Sequence, residues 1–323
     1  MLPDDAKRDV LSEVIMGGGL NKEDLVNIIR EYLRGIKDID YNDEDTCYNM
    51  AIILSYIGDY TRARGFVNSF CSIITTKEYA FMGEFFRLID KIKCAGIRMH
   101  IGDITDGLRS IQKFVGKIES IEPSHRSALM TEICDILSRH GLYREAVDIM
   151  SKYMEKDQWG IYLSLILDNA LKRGESKVAL GELLRKINSM IEGDSEACLR
   201  ISIVLRRYGL REWRDYYSRV RMEDIEKMDV EPLLGLMEES VDLGFFDMAE
   251  AMSGVPIYWE DLKRRPESLF RYVYILYAIG RVKGGAKIFE DYINEVIITR
   301  ERRMDTSFPM YYLKSVLIAL SRH

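Results

Sequence analysis

The amino-acid sequence predicts an all-α protein, and three observations support this class. Only 6 of the 323 residues are proline, which is well below the roughly 5% average and leaves room for long helices. Strong helix formers such as Leu, Met, Glu, Lys and Arg are abundant. A motif that begins with glycine recurs about every 35 residues, as it does in proteins built from repeated helical units.

The composition indicates a folded, intracellular protein. Hydrophobic residues make up 47% of the chain, which is enough to bury a sizeable core. The first ten residues, MLPDDAKRDV, are charged, and no apolar run approaches the roughly 20 residues that cross a bilayer, so a cytoplasmic location is expected. The cysteines lie singly in apolar helical stretches and predict reduced core thiols rather than disulfides; they are Cys47, Cys71, Cys94, Cys134 and Cys198.

Charge alternates in blocks, although the formal net charge is only −6. Residues 198–221 contain seven arginines and two acidic residues, and residues 222–261 contain twelve acidic residues and one base, Lys227. Such blocks occur on ordinary solvated surfaces. In a stack of helices they can also set how neighbouring pairs face each other, or steer a charged partner.

In chain order, the first elements are helices near 4–16 and 22–35, which predict an N-terminal helical cap over residues 1–42. Helical pairs follow over residues 43–309, and the last of them ends near residue 303. The segment from Met310 to Arg322 has no partner helix, so residues 310–323 are predicted to form a C-terminal cap. No low-complexity linker divides the chain, which predicts one continuous solenoid.

The repeating motif is a glycine that is followed, five residues later, by a small residue. Its copies are Gly58–Ala63, Gly102–Gly107, Gly141–Ala146, Gly174–Ala179, Gly209–Arg214, Gly244–Ala249 and Gly280–Gly285. A glycine after an amphipathic run ends a helix in the left-handed conformation, and polar residues then begin the next helix. Each copy therefore predicts a helical hairpin whose two backbones approach closely at the small residue, which only Arg214 replaces.

Prolines support this phase of the repeat. Four of them precede apolar runs and fit the first turn of a pair's first helix; these are Pro123, Pro232, Pro266 and Pro309.

The turn from Gly58 to Ala63 reads Gly-Asp-Tyr-Thr-Arg-Ala and resembles the Gly-Asp-Tyr-x-x-Ala turn of the tetratricopeptide repeat (TPR). The resemblance covers about residues 45–320 and implies a right-handed superhelix of about seven antiparallel helix pairs. In that family the first helices of the pairs line a concave groove, here called the inner face, which holds peptides or partner domains. The copies diverge, since Gly58 and Gly102 lie 44 residues apart, and another α-solenoid fits nearly as well.

Two short motifs invite a ligand site, and each fails on its spacing. The run Gly17-Gly18-Gly19 lacks the Gly-Lys-Ser/Thr of a phosphate loop and the third glycine of a dinucleotide site, so it predicts a turn between the cap helices. The run Asp38-x-Asp40-x-Asn42 begins like a calcium loop, but Asp43 replaces the required Gly and Asn49 the closing Glu. It predicts instead an acidic N-terminus of a helix.

Two cysteine–histidine pairs have the residue types that bind zinc. Cys94 with His100, and Cys134 with His140, lie six positions apart, which places the members of each pair about 120° apart around a helix. We therefore expect core cysteines and surface histidines. With no nucleophile or acid–base motif either, the sequence predicts no metal, no cofactor and no enzymatic activity.

The arginines of 198–221 are interleaved with Tyr208, Trp213, Tyr216 and Tyr217. Such a cluster could bind nucleic acid or a peptide. Alternatively, Arg206 and Arg219 pair with the acidic residues of 222–261 while the aromatic residues fill the core. Repeats of 35 residues also resemble pentatricopeptide RNA binders, but no recurring code pair is present, and overall acidity argues against phosphate binding.

Counting back from each glycine assigns residues to the inner face. They are Tyr48, Tyr56, Met99, His100, Asp135, Arg139, Asp168, Lys172, Arg206, Arg207, Glu238, Asp242, Tyr274 and Tyr277. This surface has mixed charge and lacks the Lys and Asn pair with which chaperone-binding TPR proteins hold a C-terminal carboxylate. The predicted function is a protein-interaction scaffold that binds a folded partner or an amphipathic helix. The alternative is a nucleic-acid-associated module that uses residues 198–221.

Overall fold

The computed structural model describes residues 4–17, 22–36, 39–76, 83–255, 257, 262 and 265–292. About four fifths of these residues are helical and none of them forms a strand, which confirms the predicted all-α class. The helices pack in adjacent pairs along the chain. A search of the described helices found none with the length and apolar character that a membrane span requires.

The chain divides into two compact units, residues 1–190 and residues 191–323. Unit 1 contains α1 (Asp4–Gly17), α2 (Lys22–Gly35), α3 (Glu44–Tyr56), α4 (Tyr60–Thr76), α5 (Gly83–His100), α6 (Ile104–Val115), α7 (Pro123–Arg139), α8 (Tyr143–Tyr153), α9 (Trp159–Lys172) and α10 (Lys177–Met190). The first helices of successive pairs also contact one another, α3 with α5, α5 with α7 and α7 with α9. This order places their exposed sides on a common surface.

Unit 2 contains α11 (Ser195–Arg207), α12 (Trp213–Tyr217), α13 (Met222–Ile225), α14 (Val230–Asp242), α15 (Phe246–Met252), α16 (Pro266–Ala278) and α17 (Val282–Tyr292). Its core joins residues of α11, α14 and α16, among them Ile203, Leu234 and Leu269. The predicted C-terminal cap, residues 310–323, lies outside the described residues.

The seven motif glycines all have positive φ, between 69° and 94°. At the first turn, the Gly58 N–H donates to the Ser55 carbonyl at 3.0 Å and the Asp59 N–H donates to the Leu54 carbonyl at 2.9 Å. The same two hydrogen bonds close every one of these turns, and they are the Schellman ending of a helix. The predicted glycine turns are confirmed at all seven positions.

The small residue after each turn lies between two helix backbones in most pairs. Ala63, Ala146 and Ala249 are fully buried. A Cβ added to Gly107 would collide with Met99 Cγ and lie 2.8 Å from the Ala95 carbonyl oxygen, so the approach there is close. The motif positions Ala179 and Arg214 do not show this close packing.

Ala179 is only half-buried, and Arg214 is exposed in α12, a helix of five residues. The predicted close approach therefore does not extend to these two pairs. Because α12 has only five residues, its packing does not require a small residue at position 214.

Helix starts follow the predicted signals. The Asp43 carboxylate caps α3 by accepting the Thr46 N–H at 2.7 Å, and hydrogen bonds from Thr46 lower the pKa of Asp43. The acidic cap predicted near residue 40 is confirmed at this carboxylate. Pro123 and Pro266 occupy the first turns of α7 and α16. Residues 18–21, which contain most of the glycine run, and Asp38 lie outside the described residues.

The prediction of five reduced thiols is wrong for one pair. Cys71 of α4 and Cys94 of α5 form a disulfide, with their Cα atoms 5.7 Å apart. The sequence pattern could not reveal it, because the two residues meet only when these helices pack side by side. Cys47, Cys134 and Cys198 are free and buried, as expected of core thiols.

Candidate partner-binding surfaces

On the predicted inner face of unit 1, α7 and α9 each carry an acid–base pair. Arg139 donates to Asp135 with an Nε–Oδ2 distance of 2.9 Å, and Lys172 lies 2.8 Å from Asp168. Both pairs have the i,i+4 spacing that brings side chains together on a helix. Asn169 Nδ2 donates to Asp135 Oδ1 at 3.0 Å and so links α9 to α7. We call these four predicted residues, together with the Asn169 that links their two helices, the polar ladder.

Next to this ladder, where α5 packs against α7, lies a histidine pair. The rings of His100 and His140 meet edge to face with centroids 4.6 Å apart, and His140 donates to the Gly96 carbonyl. A Cβ on Gly96 would lie 2.8 Å from Ile136 Cδ1, so a larger residue would hold α7 away from α5. The expectation of surface histidines is wrong in part, because this close approach leaves both rings half-buried against each other.

The histidine pair lies in a polar crevice with strongly shifted pKa values. The crevice is lined by Tyr48, Lys93, Gly96, Ile97, His100, Glu132, Asp135, Ile136, Arg139 and His140. Burial, with a smaller contribution from the nearby Arg139 cation, lowers the pKa of His100 to about 4, and burial, with smaller contributions from His100 and neighbouring arginines, lowers that of His140 to about 3. Burial also raises the pKa of Tyr48 to about 12 and raises that of Glu132. Both imidazoles are therefore neutral at pH 7.

The crevice cannot accept a peptide. Its void is about 30 Å³, which is far below the roughly 300 Å³ at which ligand pockets begin. Tyr48 spans it from α3 and packs its ring against Phe70 at 5.5 Å. Among the residues that the structure describes, no three His, Cys, Asp or Glu side chains are placed to hold a metal ion. Tyr48 and His100 are thus part of the packing between α3, α5 and α7.

The remaining aromatic residues and Met99 are held by the cores. Tyr56 is half-buried and packs against the core of unit 1, whereas Met99 is buried. Tyr277 is only 5% exposed and packs against Gly285. Tyr274 stays half-buried and donates to Asp242 Oδ1 at 3.3 Å.

In unit 2 the predicted inner-face charges join neighbouring helices. Arg207 of α11 bonds to Glu239 of α14, and Glu238 of α14 accepts Arg271 of α16 at 2.8 Å. Each acidic partner belongs to the block 222–261. The structure therefore favours the interpretation in which this block pairs with basic residues inside the protein.

Arg206 contacts two aromatic rings and one carboxylate of unit 2. Its guanidinium carbon lies 4.7 Å from the Trp213 ring centroid and 4.4 Å from that of Phe245. The same group bonds to Asp247 Oδ1 at 2.7 Å. Two aromatic faces and one carboxylate leave this side chain few free donors, so its first role is to hold α11, α12 and α15 together.

The other arginines of 198–221 mostly have partners within unit 2. Arg200 pairs with Glu196, Arg214 stacks on Trp213, Arg219 stacks on Tyr216 and Arg221 pairs with Asp224. Trp213 and Tyr217 pack against the core, and Tyr216 is buried, as the second interpretation of the cluster expected.

A wide groove, which sequence reasoning missed, runs between α8 and α10 of unit 1. This α8–α10 groove has a volume of about 820 Å³, within the usual range of ligand sites. Its apolar lining consists of Val147, Ala179 and Leu183, and its charged lining consists of Arg144, Glu145, Asp148, Glu182, Arg185 and Lys186. Lys186 lies 3.7 Å from Asp148, so one ion pair links the two walls.

The groove exists because α10 packs loosely. Along its 14 residues α10 buries only Leu183 and Ile187, and Val178 is 72% exposed. Ala179 occupies the position that is fully buried at Ala146 one pair earlier. The sequence of α10 contained one weak signal of this groove. The helix has more apolar residues than one buried stripe requires, so some of them remain available for another contact.

Comparisons with known proteins add little to this geometry. No protein-family model matches the chain, and no curated protein matches it. Among solved structures, it is similar to Ton1535 from Thermococcus onnurineus NA1, with a TM-score of 0.36 and 13% identity over 100% of this chain and 93% of that chain. This similarity is too low to assign a fold family or a function.

Proposed function

We propose that this protein is a protein-interaction scaffold that holds a partner and does not catalyse a reaction. In this proposal its helix pairs form a right-handed, TPR-like superhelix of about seven hairpins with a capping helix at each end. The repeated Schellman turns support that architecture, because identical turns at similar spacing place successive pairs in similar orientations. Binding surfaces made of several helices are the usual product of such stacking.

The observation that carries the proposal is the α8–α10 groove. Val147 and Leu183 lie buried beneath its floor, where half-buried Ala179 and Tyr143 offer apolar contact. The charged lining contains three basic and three acidic side chains. The occupant that fits is an amphipathic helix with an apolar stripe flanked by charges of both signs. Such a helix would cover apolar surface that α10 leaves open.

The polar ladder on the inner face is the second candidate surface for the same function. Lys172 is well exposed there, with 45% of its side chain accessible. Its partner Asp168 is nearly buried, however, and the ladder offers no comparable cavity. We therefore place the partner on the second helices of the pairs rather than on the first.

A photo-crosslinking amino acid tests this choice of surface. It would replace Glu182 in the α8–α10 groove, Lys172 on the inner face, or exposed Arg109 of α6 as the control. We expect position 182 to capture one partner from an extract of the native cells, with excess unlabelled protein abolishing capture, and position 109 to capture none. Capture from position 172 alone would move the site to the inner face. Equal capture at all three positions would contradict a defined binding surface.

The nucleic-acid alternative has weaker support. The arginines of 198–221 largely contact side chains of their own unit, and exposed Arg211 is the main exception. Retention on immobilised nucleic acid that falls steeply with salt would revive this alternative, because phosphate contacts release counterions.

A further inference from the structure

The disulfide between Cys71 and Cys94 differs from the other cysteine positions in one respect. It joins α4 to α5, which belong to successive helix pairs, whereas Cys47, Cys134 and Cys198 are each at most 2% exposed and have no sulfur partner. These two residues, which lie 23 positions apart, therefore place their thiols where a covalent bond can open and close between two packed helices.

The two sulfur-bearing residues are not equally accessible. Cys71 is 9% exposed and belongs to the core cluster of unit 1, while Cys94 is half-buried at the edge of that cluster. Lys91 and Arg98 lie three positions before and four positions after Cys94 on the same side of α5. An anionic reagent would meet Cys94 first, with these two cations beside it.

We propose that Cys94 and Cys71 form a reversible redox site that exchanges with low-molecular-weight disulfides, of which oxidised glutathione is one. The Cys94 thiolate attacks one sulfur of the small disulfide, which breaks the S–S bond and releases one small thiolate. The Cys71 thiolate then attacks the Cys94 sulfur and releases the second. The protein loses two electrons and two protons, and one small disulfide becomes two small thiols.

Closing this bond fixes one wall of the histidine crevice. Cys94 is followed by Gly96 and His100 on α5, and both residues line that crevice. With the bond closed, α5 is tied to α4 of the preceding pair; with the bond open, only non-covalent packing holds it. The inference does not depend on the proposed scaffold function, since it concerns the chemistry and rigidity of unit 1 alone.

Single-cysteine variants test the order of attack. After reduction and treatment with oxidised glutathione, intact-mass measurement should find a stable glutathione adduct on Cys94 in Cys71→Ser and at least tenfold slower adduct formation on Cys71 in Cys94→Ser. The wild-type protein should instead lose two hydrogens and keep no adduct. Equal rates in the two variants, or a wild-type protein that keeps both thiols in oxidised buffer, would overturn the proposal. Circular dichroism checks that both variants are folded.

A measurement on the unmodified protein keeps the test independent of those variants. Differential alkylation should label Cys71 and Cys94 only after reductant is added, and Cys47, Cys134 and Cys198 only after unfolding. Reductant should lower the Tm of the wild-type protein by about 10 °C, the scale expected for opening a loop of this length. It should also speed hydrogen exchange in α5 but not in α9. Labelling of Cys71 and Cys94 without reductant, or a hydrogen-exchange rate in α5 that does not change with reductant, would refute the redox site.

Discussion

The rings of His100 and His140 meet at a centroid distance of 4.6 Å, and this contact makes the stability of unit 1 depend on pH. Burial lowers their pKa values from 6.5 to about 4 and about 3. The unfolded chain therefore binds more protons than the folded protein once the pH falls below 6.5. Stability is fully present above that pH and is lost as the medium becomes more acidic. Between pH 7 and pH 5 we expect a loss of roughly 2 kcal/mol for each ring.

Denaturant titrations at the two pH values measure this loss. The double variant His100→Gln/His140→Gln should show a much flatter dependence, whatever its stability at pH 7. The control is His125→Gln, since His125 lies at the start of α7 and stacks on Phe85 away from the pair. The assignment fails if the double variant keeps the wild-type slope or if the control loses it.

A second prediction compares two alanines at the same position of the motif. Ala146→Arg should cost unit 1 about 2–4 kcal/mol, because Ala146 is 0% exposed between α7 and α8 and an arginine cannot fit there without moving a helix. Ala179→Arg should change stability by less than about 0.5 kcal/mol, because half-buried Ala179 opens onto the α8–α10 groove. Thermal melts of the two variants decide the matter. Equal losses would mean that α10 packs as tightly as α8.

A third prediction uses glycines as probes of backbone spacing. Gly107→Ala should destabilise unit 1 by about 1–2 kcal/mol, since the added Cβ would contact Met99 and the Ala95 carbonyl. Gly181→Ala in α10 meets no atom within 4 Å and should stabilise the protein by about 0.5–1 kcal/mol, the usual gain from removing a glycine from a helix. Equilibrium unfolding in urea gives both values. A stabilising Gly107→Ala would show that α5 and α6 have room to spare.

The sequence specified the turns because their requirement is local. A left-handed residue at a helix end is readily supplied only by glycine, so Gly58 and Gly280 could be assigned from the sequence alone. The disulfide and the histidine crevice depend on how α4, α5 and α7 pack. No pattern within one helix states which faces of two helices will meet.

Which residues belong to the inner face could be counted from the sequence. Whether their side chains are open to a partner could not. Counting from the glycines assigned all four residues of the two ion pairs to this face, and the structure pairs Asp135 with Arg139 and Asp168 with Lys172. It could not tell that Gly96 would let α7 close over His100. The α8–α10 groove was missed for the converse reason, since a gap between helices appears in a sequence only as apolar residues such as Val178 without a visible partner.

A fourth prediction concerns Arg206 and Arg207, which counting from the glycines assigns to the inner face. Replacing Arg206 and Arg207 with Glu should lower the stability of unit 2 by about 1–3 kcal/mol. The change removes the guanidinium that stacks on two aromatic rings and places new carboxylates beside Asp247 and Glu239. Urea unfolding monitored by Trp fluorescence reports on it. The control Arg211→Glu, at an exposed position, should stay within about 0.5 kcal/mol. An unchanged double variant would return these arginines to the list of binding residues.

The last prediction separates binding from folding with Ala179→Arg. The arginine projects into the α8–α10 groove and adds both bulk and charge at its floor, so a helix seated on Ala179 and Tyr143 would lose its contact surface. We expect capture by a crosslinker at position 182 to fall at least tenfold while helix content and Tm stay at wild-type values. The matched variant Lys172→Glu, which alters the inner face, should leave capture unchanged. Retained capture in Ala179→Arg would exclude the groove as the seat of the partner, and loss in both variants would indicate a partner that contacts both sides of unit 1.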